Sequence, residues 1–517
     1  MPKETRLPAL LLAALVLLCA IKGVWMTAGL IVPTDPDTIR DIGFIQGLRD
    51  GNLFHDPGIA DAWRWYPPLI HAIAAAVLTV IGGNTLDIWI HAGAWLNLLT
   101  PLAFYAMNRV LFGAWPALLA VAVMVLLNGS LMASDETAGY TPWTLTPALV
   151  WPATFLAVPV IHRRTPRLRF ADAILIGTIL GLVFLAHTIP AILLSAITAA
   201  IALACAPSRR SILWLAAVAL TELALTLPFL GPLLVDYRLH IANPVPGAWV
   251  HALLAPDARL RLLLLNLPGI AALATLIALR PRLPRPTVVL FAAWIATCLA
   301  FLLRHFACSG ADLPHPACTV FVVAPHHFHV YLQAAWASLA GLALHQAHAA
   351  RPRRAPLIAA PLIVVAGAIA FIANAADHTQ RAGARARPDD VLDLPAYLWI
   401  LAHTRPGDEF VTPRPAAPDE MGPEAATVIA AGRPLVAPPA IHANPYIPWP
   451  PLERRRSVLL AAATAPCASG DSSPGDAPLT AAPPWYFLPR PFPPASPTIE
   501  IALQTPRHIL FRRRCRL

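Results

Sequence analysis

Residues 67–82, PPLIHAIAAAVLTVIG, decide how this chain folds. The run is apolar, yet two prolines open it and His71 interrupts it. It is also shorter than the roughly 20 residues that a helix needs to cross the hydrocarbon core of a bilayer. Whether it crosses determines the side on which everything downstream lies. Arg109 follows soon after, and apolar runs at 7–32 and 88–108 lie on either side of the segment. If all three runs crossed, Arg109 would stand on the opposite face from the N-terminus.

The arginines settle the parity. They gather in short clusters between apolar runs: Arg109, then 163–169 (RRTPRLR), 209–210, 280–285 (RPRLPR) and 351–354 (RPRR). Basic loops stay on the cytoplasmic side, so an even number of spans must separate neighbouring clusters. The later runs comply in pairs: 113–133 with 143–161, 170–187 with 189–206, 211–232 with 259–279, and 287–303 with 319–347. Parity before Arg109 holds only if 67–82 does not cross. We therefore expect a helix that lies in the outer interface or is re-entrant.

The expected fold is a polytopic α-helical membrane protein of about eleven transmembrane helices, with the interfacial helix in a first outer loop at 33–87. Residues 1–375 form the transmembrane domain, with the N-terminus cytoplasmic and the last span at 357–375. The first run reads as a retained span, because no small-residue cleavage site follows it. Residues 376–517 form a small extracytoplasmic α/β domain, with a helix near 390–404 and a strand beginning in GDEFVTP.

Composition agrees. Of 517 residues, 57% are hydrophobic and 13% charged, with mean hydropathy +0.60; soluble domains carry about 25% charged residues. The net charge of +10 is spent on topology clusters and does not point to nucleic acid. Seven cysteines in so long a chain exclude a disulfide scaffold. Cys308 with Cys318, and Cys467 with Cys515, could pair in an oxidising compartment. High arginine and proline usage points to a GC-rich prokaryote, hence a bacterial plasma membrane.

Chemistry concentrates in the first outer loop. Residues 33–66 carry Asp35, Asp37, Asp41, Asp50, Asp56 and Asp61. Helical spacing over 37–50 makes Asp37 an N-cap candidate, with Asp41 one turn further along the same face. One reading is a capped interfacial helix with solvated acids. The other is a general base, since a carboxylate at the mouth of a membrane cavity is poorly solvated and accepts a proton more readily.

Asp37, Gly51 and Tyr66-Pro67-Pro68-Leu69 carry a resemblance. An acid opening the first outer loop, a short helix, a glycine and a YPPL that starts an interfacial helix together resemble the GT-C superfamily of polyprenyl-phosphate-dependent glycosyltransferases. That group includes protein O-mannosyltransferases, aminoarabinose transferases and oligosaccharyltransferases. The likeness covers about residues 7–160. It implies a membrane glycosyltransferase that takes a polyprenyl-phosphate-linked sugar to a glycan, lipid or protein acceptor, with Asp37 as base. The family often has Glu after its acid where this chain has Thr38, so Asp35 and Asp41 stay as rivals. Asp135 and Glu136 occupy a second outer loop, where the family often adds an acid. With Asp37 they could hold a divalent cation, Mg or Mn; other branches of the family need none.

The donor phosphate needs positive or hydrogen-bonding partners near the outer leaflet. His187, Arg238 with His240, and the stretch from Arg304 through His305, His315, His326, His327 and His329 provide them. Three histidines at 326, 327 and 329 are too close to share one helix face, which disfavours zinc. Lys22 and Glu222 fall inside predicted spans and either pair with each other or leave Lys22 to serve the lipid phosphate. Trp63, Trp65 and Tyr66, and the segments 442–451 and 483–491, are interfacial aromatics and rigid loops, or sugar-stacking surfaces. A transporter or lipid flippase is the competing class. It predicts internal repeats, and none is evident. No nucleotide-binding loop is present, as a lipid-linked donor requires.

Overall fold

The computed structural model describes residues 6–33, 36–128, 145–243, 256–309, 327–350, 391–414, 421–440, 443–463, 484–490 and 499–513. Thirteen helices occupy the first 350 residues among those described. They are α1 (Arg6–Thr27), α2 (Pro36–Arg49), α3 (Leu69–Ile81), α4 (Thr85–Leu96), α5 (Leu99–Phe112), α6 (Ala114–Ala122, continuing as a π turn over Val123–Asn128), α7 (Leu145–Arg164), α8 (Phe170–Ala186), α9 (Thr188–Cys205), α10 (Arg209–Val235), α11 (Pro256–Leu279), α12 (Arg285–Ser309) and α13 (His327–Ala350).

Among the described residues, α9, α10 and Arg285–Arg304 of α12 are long and apolar enough to cross a membrane. The expected span at 357–375 and the second loop lie outside the described residues. The 67–82 segment is a separate element. Its helix α3 has 13 residues and meets Thr85–Phe112 at a bend of 116°. Gly82 (φ 76°) and Gly83 (φ 93°) make that bend, because side-chain-bearing residues rarely adopt left-handed backbone. Asn84 then caps α4 by accepting from the Leu86 N–H at 2.9 Å. Ile73, Val77, Val80 and Ile81 form an exposed apolar stripe at helical spacing on α3.

Several polar residues in the helical bundle donate locally. Thr154, Thr198 and Asn108 donate to carbonyls four residues back at 2.8, 2.8 and 3.0 Å. An apolar surrounding with no water requires this. Two helices touch backbone to backbone: a Cβ at Gly177 of α8 would stand 2.6 Å from the Val218 carbonyl oxygen of α10.

The C-terminal region adds α14 (Leu394–His403), α15 (Pro423–Ala430) and α16 (Trp449–Ala463), with strands β1 (Phe410–Val411), β2 (Trp485–Pro489), β3 (Ile499–Gln504) and β4 (His508–Arg513). The sheet order is β1-β2-β4-β3, with β1 parallel to β2 and the other neighbours antiparallel. Both faces of β2 are buried. Trp485 and Phe487 join one core while Tyr486 and Leu488 join another, following the two-residue period of a strand.

The first of these cores is not confined to the C-terminal region. It also contains Ile39, Ile42, Ile45 and Leu48 of α2, Leu78 of α3, Leu86 and Trp89 of α4, and Tyr397, Ile400, Val428 and Ile429. Each such side chain contributes about 1.5–3 kcal/mol on burial. Helix α2 is thus a shared element of two folded parts.

Candidate functional site

Helix α2 starts at Pro36, whose fixed φ suits a first helical position. Asp37 consequently stands inside the first turn as the second helical residue, not at the N-cap expected from sequence. Its carboxylate reaches along the helix: Arg40 Nη1 donates to Asp37 Oδ1 at 2.6 Å, an i,i+3 pair. Arg40 Nη2 donates to Asp41 Oδ1 at 3.3 Å. One guanidinium therefore joins both acids. Burial alone would lower the Arg40 pKa, but Asp37 and Asp41 together hold it well above its ordinary value.

The two acids differ in exposure. The Asp37 side chain is 43% exposed and that of Asp41 1%. Asp41 faces the equally buried His71, whose Nε2 lies 3.1 Å from Asp41 Oδ1. His71 Nδ1 lies 3.3 Å from the Pro67 carbonyl oxygen. Both ring nitrogens thus face acceptors. The cluster thus joins two carboxyl groups, Asp37 and Asp41, to one guanidinium, Arg40, and one imidazole, His71.

Tyr66, first residue of the YPPL stretch, sits at the centre. The Arg40 guanidinium lies over its ring at 4.6 Å. Phe44 stacks on it at 5.8 Å, and His71 meets it edge-on at 5.7 Å. His187 joins from α9, its ring edge-on to Tyr66 at 6.2 Å. As N-cap of α9, His187 accepts at Nδ1 from the Ile189 N–H at 3.3 Å, so a neutral ring carries its proton on Nε2. A residue expected at the donor phosphate is thereby brought beside the first-loop acids.

The rest of the first loop is pinned from elsewhere in the chain. The Trp63 N–H donates to the Tyr237 hydroxyl at 2.8 Å, and Asn444 Nδ2 donates to the Trp63 carbonyl at 3.1 Å. Tyr446 stacks on Tyr237 at 5.4 Å. Residues 443–451 of the aromatic–proline segment therefore dock against the loop. Asp56 is buried at the centre of this knot. Burial pushes its carboxyl up to about 6, against the Gly58 N–H, Arg64, Asn444 and Trp65, which favour the charged form. Burial brings Arg64 down to about 10, with Asp56 opposing.

The other sequence candidates fall in different places. Asp35, Asp135, Glu136 and His326 lie outside the described residues, as do the side chains of Lys22, His327 and both proposed cysteine pairs. Arg238 is exposed on the turn after α10 with φ 52°, and no described contact ties it to the Asp37 cluster. Arg304 lies one turn beyond Phe301, whose ring stacks on Phe328 at 4.1 Å. That places it at the same end of the bundle as His329, which accepts at Nε2 from Gln333 at 3.1 Å. Among the described residues no group of three or more His, Cys, Asp or Glu could hold a metal ion. Sequence reasoning missed Arg40 and His71 as members of the cluster. The i,i+3 spacing of Asp37 and Arg40 was the available signal for the first.

No protein-family model matches the chain, and no curated protein matches it. Solved structures do. The crystal structure of ArnT from Cupriavidus metallidurans bound to undecaprenyl phosphate is 13% identical, covers 97% of each chain and superposes with a TM-score of 0.53. This is the fold of the GT-C glycosyltransferases. The apo form of the same ArnT gives 14% identity with the same coverage and TM-score. The Archaeoglobus fulgidus oligosaccharyltransferase tethered to an acceptor peptide is 12% identical over 83% of this chain and 64% of its own, with a TM-score of 0.45. The fold shared with ArnT thus covers nearly all of this chain, beyond the first third that carries the sequence resemblance.

Proposed function

We propose that this chain is an integral membrane glycosyltransferase that moves a sugar from a polyprenyl-phosphate-linked donor to an acceptor on the outer face of the membrane, with Asp37 as the general base. One observation carries the reading. Within a fold shared with a protein whose structure holds undecaprenyl phosphate, Asp37 is the accessible carboxylate of a cluster whose other acid, Asp41, is buried.

The chemistry follows from that arrangement. An acceptor hydroxyl or amine attacks the anomeric carbon while the bond from that carbon to the phosphate oxygen breaks, with inversion. Asp37 accepts the acceptor's proton. The cluster thereby loses one negative charge as the lipid phosphate departs with its own. Arg40, held between Asp37 and Asp41, is the fixed cation that makes this change favourable to the leaving group. His187 and Arg304 are the described donors for the lipid phosphate, with Arg238, His326 and His327 as further candidates.

If the enzyme uses a divalent cation, Asp37, Asp135 and Glu136 would hold it. The topology belonging to this reading is eleven spans, N-terminus cytoplasmic, α3 in the outer interface, and residues 376–517 outside a bacterial plasma membrane. The test is transfer of radiolabelled sugar from membrane-extracted polyprenyl-phosphate donors by purified protein, wild type beside Asp37→Asn. A wild type inert with every donor and acceptor pool would sink the reading. An active Asp37→Asn would move the base to another acid.

A further inference from the structure

The last turn of an α-helix leaves carbonyl oxygens without intrahelical partners, and the helix dipole places partial negative charge there. Three helices of this chain end on one guanidinium. Arg433 is 2% exposed. Its Nη1 donates to Asp50 Oδ2 at 2.6 Å, and Asp50 directly follows the last residue of α2. The same nitrogen donates to the Ala431 carbonyl, the C-cap of α15, at 3.0 Å. Its Nε and Nη2 donate to the hydroxyl and carbonyl oxygens of Thr404, the C-cap of α14, at 3.0 and 3.1 Å. Asp50 Oδ1 accepts from Gln46 Nε2 at 3.0 Å, which returns the network to the body of α2.

Beside this node α2 and α15 meet without side chains between them. A Cβ at Gly43 would stand 2.1 Å from the Ile429 carbonyl oxygen. Gly432, at φ 66°, turns the chain so closely that its own Cβ would lie 2.9 Å from the Gly47 amide nitrogen. The Leu435 N–H donates to the Gly58 carbonyl at 3.0 Å, carrying the seam into the first loop. Gly43 lies two residues beyond Asp41 on the same helix.

We propose that Arg433 is a positioning residue: from the C-terminal region it clamps the end of α2, and with the Gly43–Ile429 contact it sets the depth and rotation at which Asp37 meets the substrate. The proposal rests on the transferase reading for its catalytic consequence. It makes the C-terminal region a working part of the active centre. Catalytic groups lose about 100-fold in rate when displaced by roughly 1 Å, and α2 has no other charged anchor at its C-terminal end among the described residues than Asp50 with Arg433 and Arg49, which bonds Thr85 and Gly83. Lysine cannot replace the fork, because a single ammonium cannot span acceptors on three helices.

The experiment uses the full-length protein in lipid nanodiscs as wild type, Arg433→Gln, Arg433→Lys and Gly43→Ala. It measures kcat, the donor KM and backbone amide exchange. The expected result for Arg433→Gln is a fall in kcat of about 10- to 100-fold with donor KM within about 2-fold. Exchange should quicken over 36–49 and stay unchanged over 188–205 of α9. Arg433→Lys recovers part of kcat. Gly43→Ala, which keeps every charge, reproduces the loss. Unchanged exchange over 36–49, or a loosened α2 with full kcat, overturns the proposal. If Arg433→Gln also loosens α9, the variant is misfolded and Gly43→Ala decides in its place. A wild type without transferase activity counts against the proposed function, and exchange over 36–49 alone then decides whether Arg433 holds α2.

Discussion

His71 Nε2 lies 3.1 Å from Asp41 Oδ1, and both side chains are 1% exposed. This couple lies beneath Arg40 and ties α2 to α3, so the apolar segment that begins with YPPL serves the acid helix directly. It also separates the roles of two carboxylates that stand one helical turn apart. Asp41 has its oxygen engaged by a guanidinium and an imidazole. Asp37 shares the guanidinium and keeps an exposed face.

Replacing each acid with its amide should therefore give different outcomes. Asp37→Asn should lower kcat by about 10²- to 10⁴-fold, the range for a lost general base, with little change in melting temperature. Asp41→Asn leaves Arg40 and His71 poorly compensated in a buried place and should cost about 3–5 kcal/mol of stability. Thermal melts beside transfer rates check this. A stable, slow Asp41→Asn paired with a fast Asp37→Asn would reverse the assignment.

The C-terminal region should have its own alkaline limit. His508 Nδ1 lies 2.7 Å from Asp393 Oδ2, and its Nε2 lies 3.3 Å from Glu424 Oε1. Burial alone would lower the His508 pKa, but the two carboxylates raise it to about 9. A histidine raised in the folded state gives stability that is full below its ordinary pKa of about 6.5 and lost as pH rises through about 9. The loss expected is on the order of 2 kcal/mol. Asp393 shifts the other way. Burial opposes the shift, but His508, Thr505 and the Ala396 N–H hold its carboxyl below the ordinary value. Its contribution is present above the ordinary carboxylate pKa and disappears on acidification. Denaturation followed from pH 6 to 10 should show the alkaline decline in wild type and a flat profile in His508→Phe. Equal slopes would remove His508 as the cause.

The bend between α3 and α4 predicts an order of severity. Gly82→Ala meets nothing within 4 Å and costs only its left-handed backbone at φ 76°, roughly 1–2 kcal/mol. Gly83→Ala has the same kind of cost at φ 93° and also places its Cβ 2.9 Å from Ile88 Cδ1. Gly83→Ala should therefore melt lower. The reverse order would show that the bend is not held as these dihedrals require.

Helix packing in the bundle offers a further check. A Cβ at Gly177 would meet the Val218 carbonyl oxygen at 2.6 Å and Thr221 Cβ at 2.7 Å. Gly177→Ala must push α8 from α10, at about 1–3 kcal/mol as for other overpacked sites. Gly231→Ala on α10 meets nothing within 4 Å and should be nearly silent. Comparable melting temperatures for the two variants would contradict the packing.

What could be read without coordinates was whatever obeys a local rule. The helical character of the first 350 residues follows from apolar length, and proline and glycine placement marks where α3 begins and ends. The acids of 33–66 could be recognised as a candidate site, and the Asp37–Arg40 pair lay within reach because three residues along a helix are neighbours. The N-cap expectation for Asp37 failed by two positions, since Pro36 is itself a comfortable first helical residue. His71 looked only like an interruption in an apolar run, for its partner stands 30 residues earlier.

The amino-acid sequence by itself determined which segments are too apolar for water, where the chain must turn, and that carboxylates cluster beside Tyr66–Leu69, because each depends on residue type and short spacing. Only the tertiary structure decided which carboxylate stays open and what holds it there. Exposure is a property of everything packed around a group: Asp41 is buried by His71 and Arg40, and α2 ends on Arg433, 383 residues from Asp50. No local pattern encodes a contact that exists only once a distant part of the chain has folded against it.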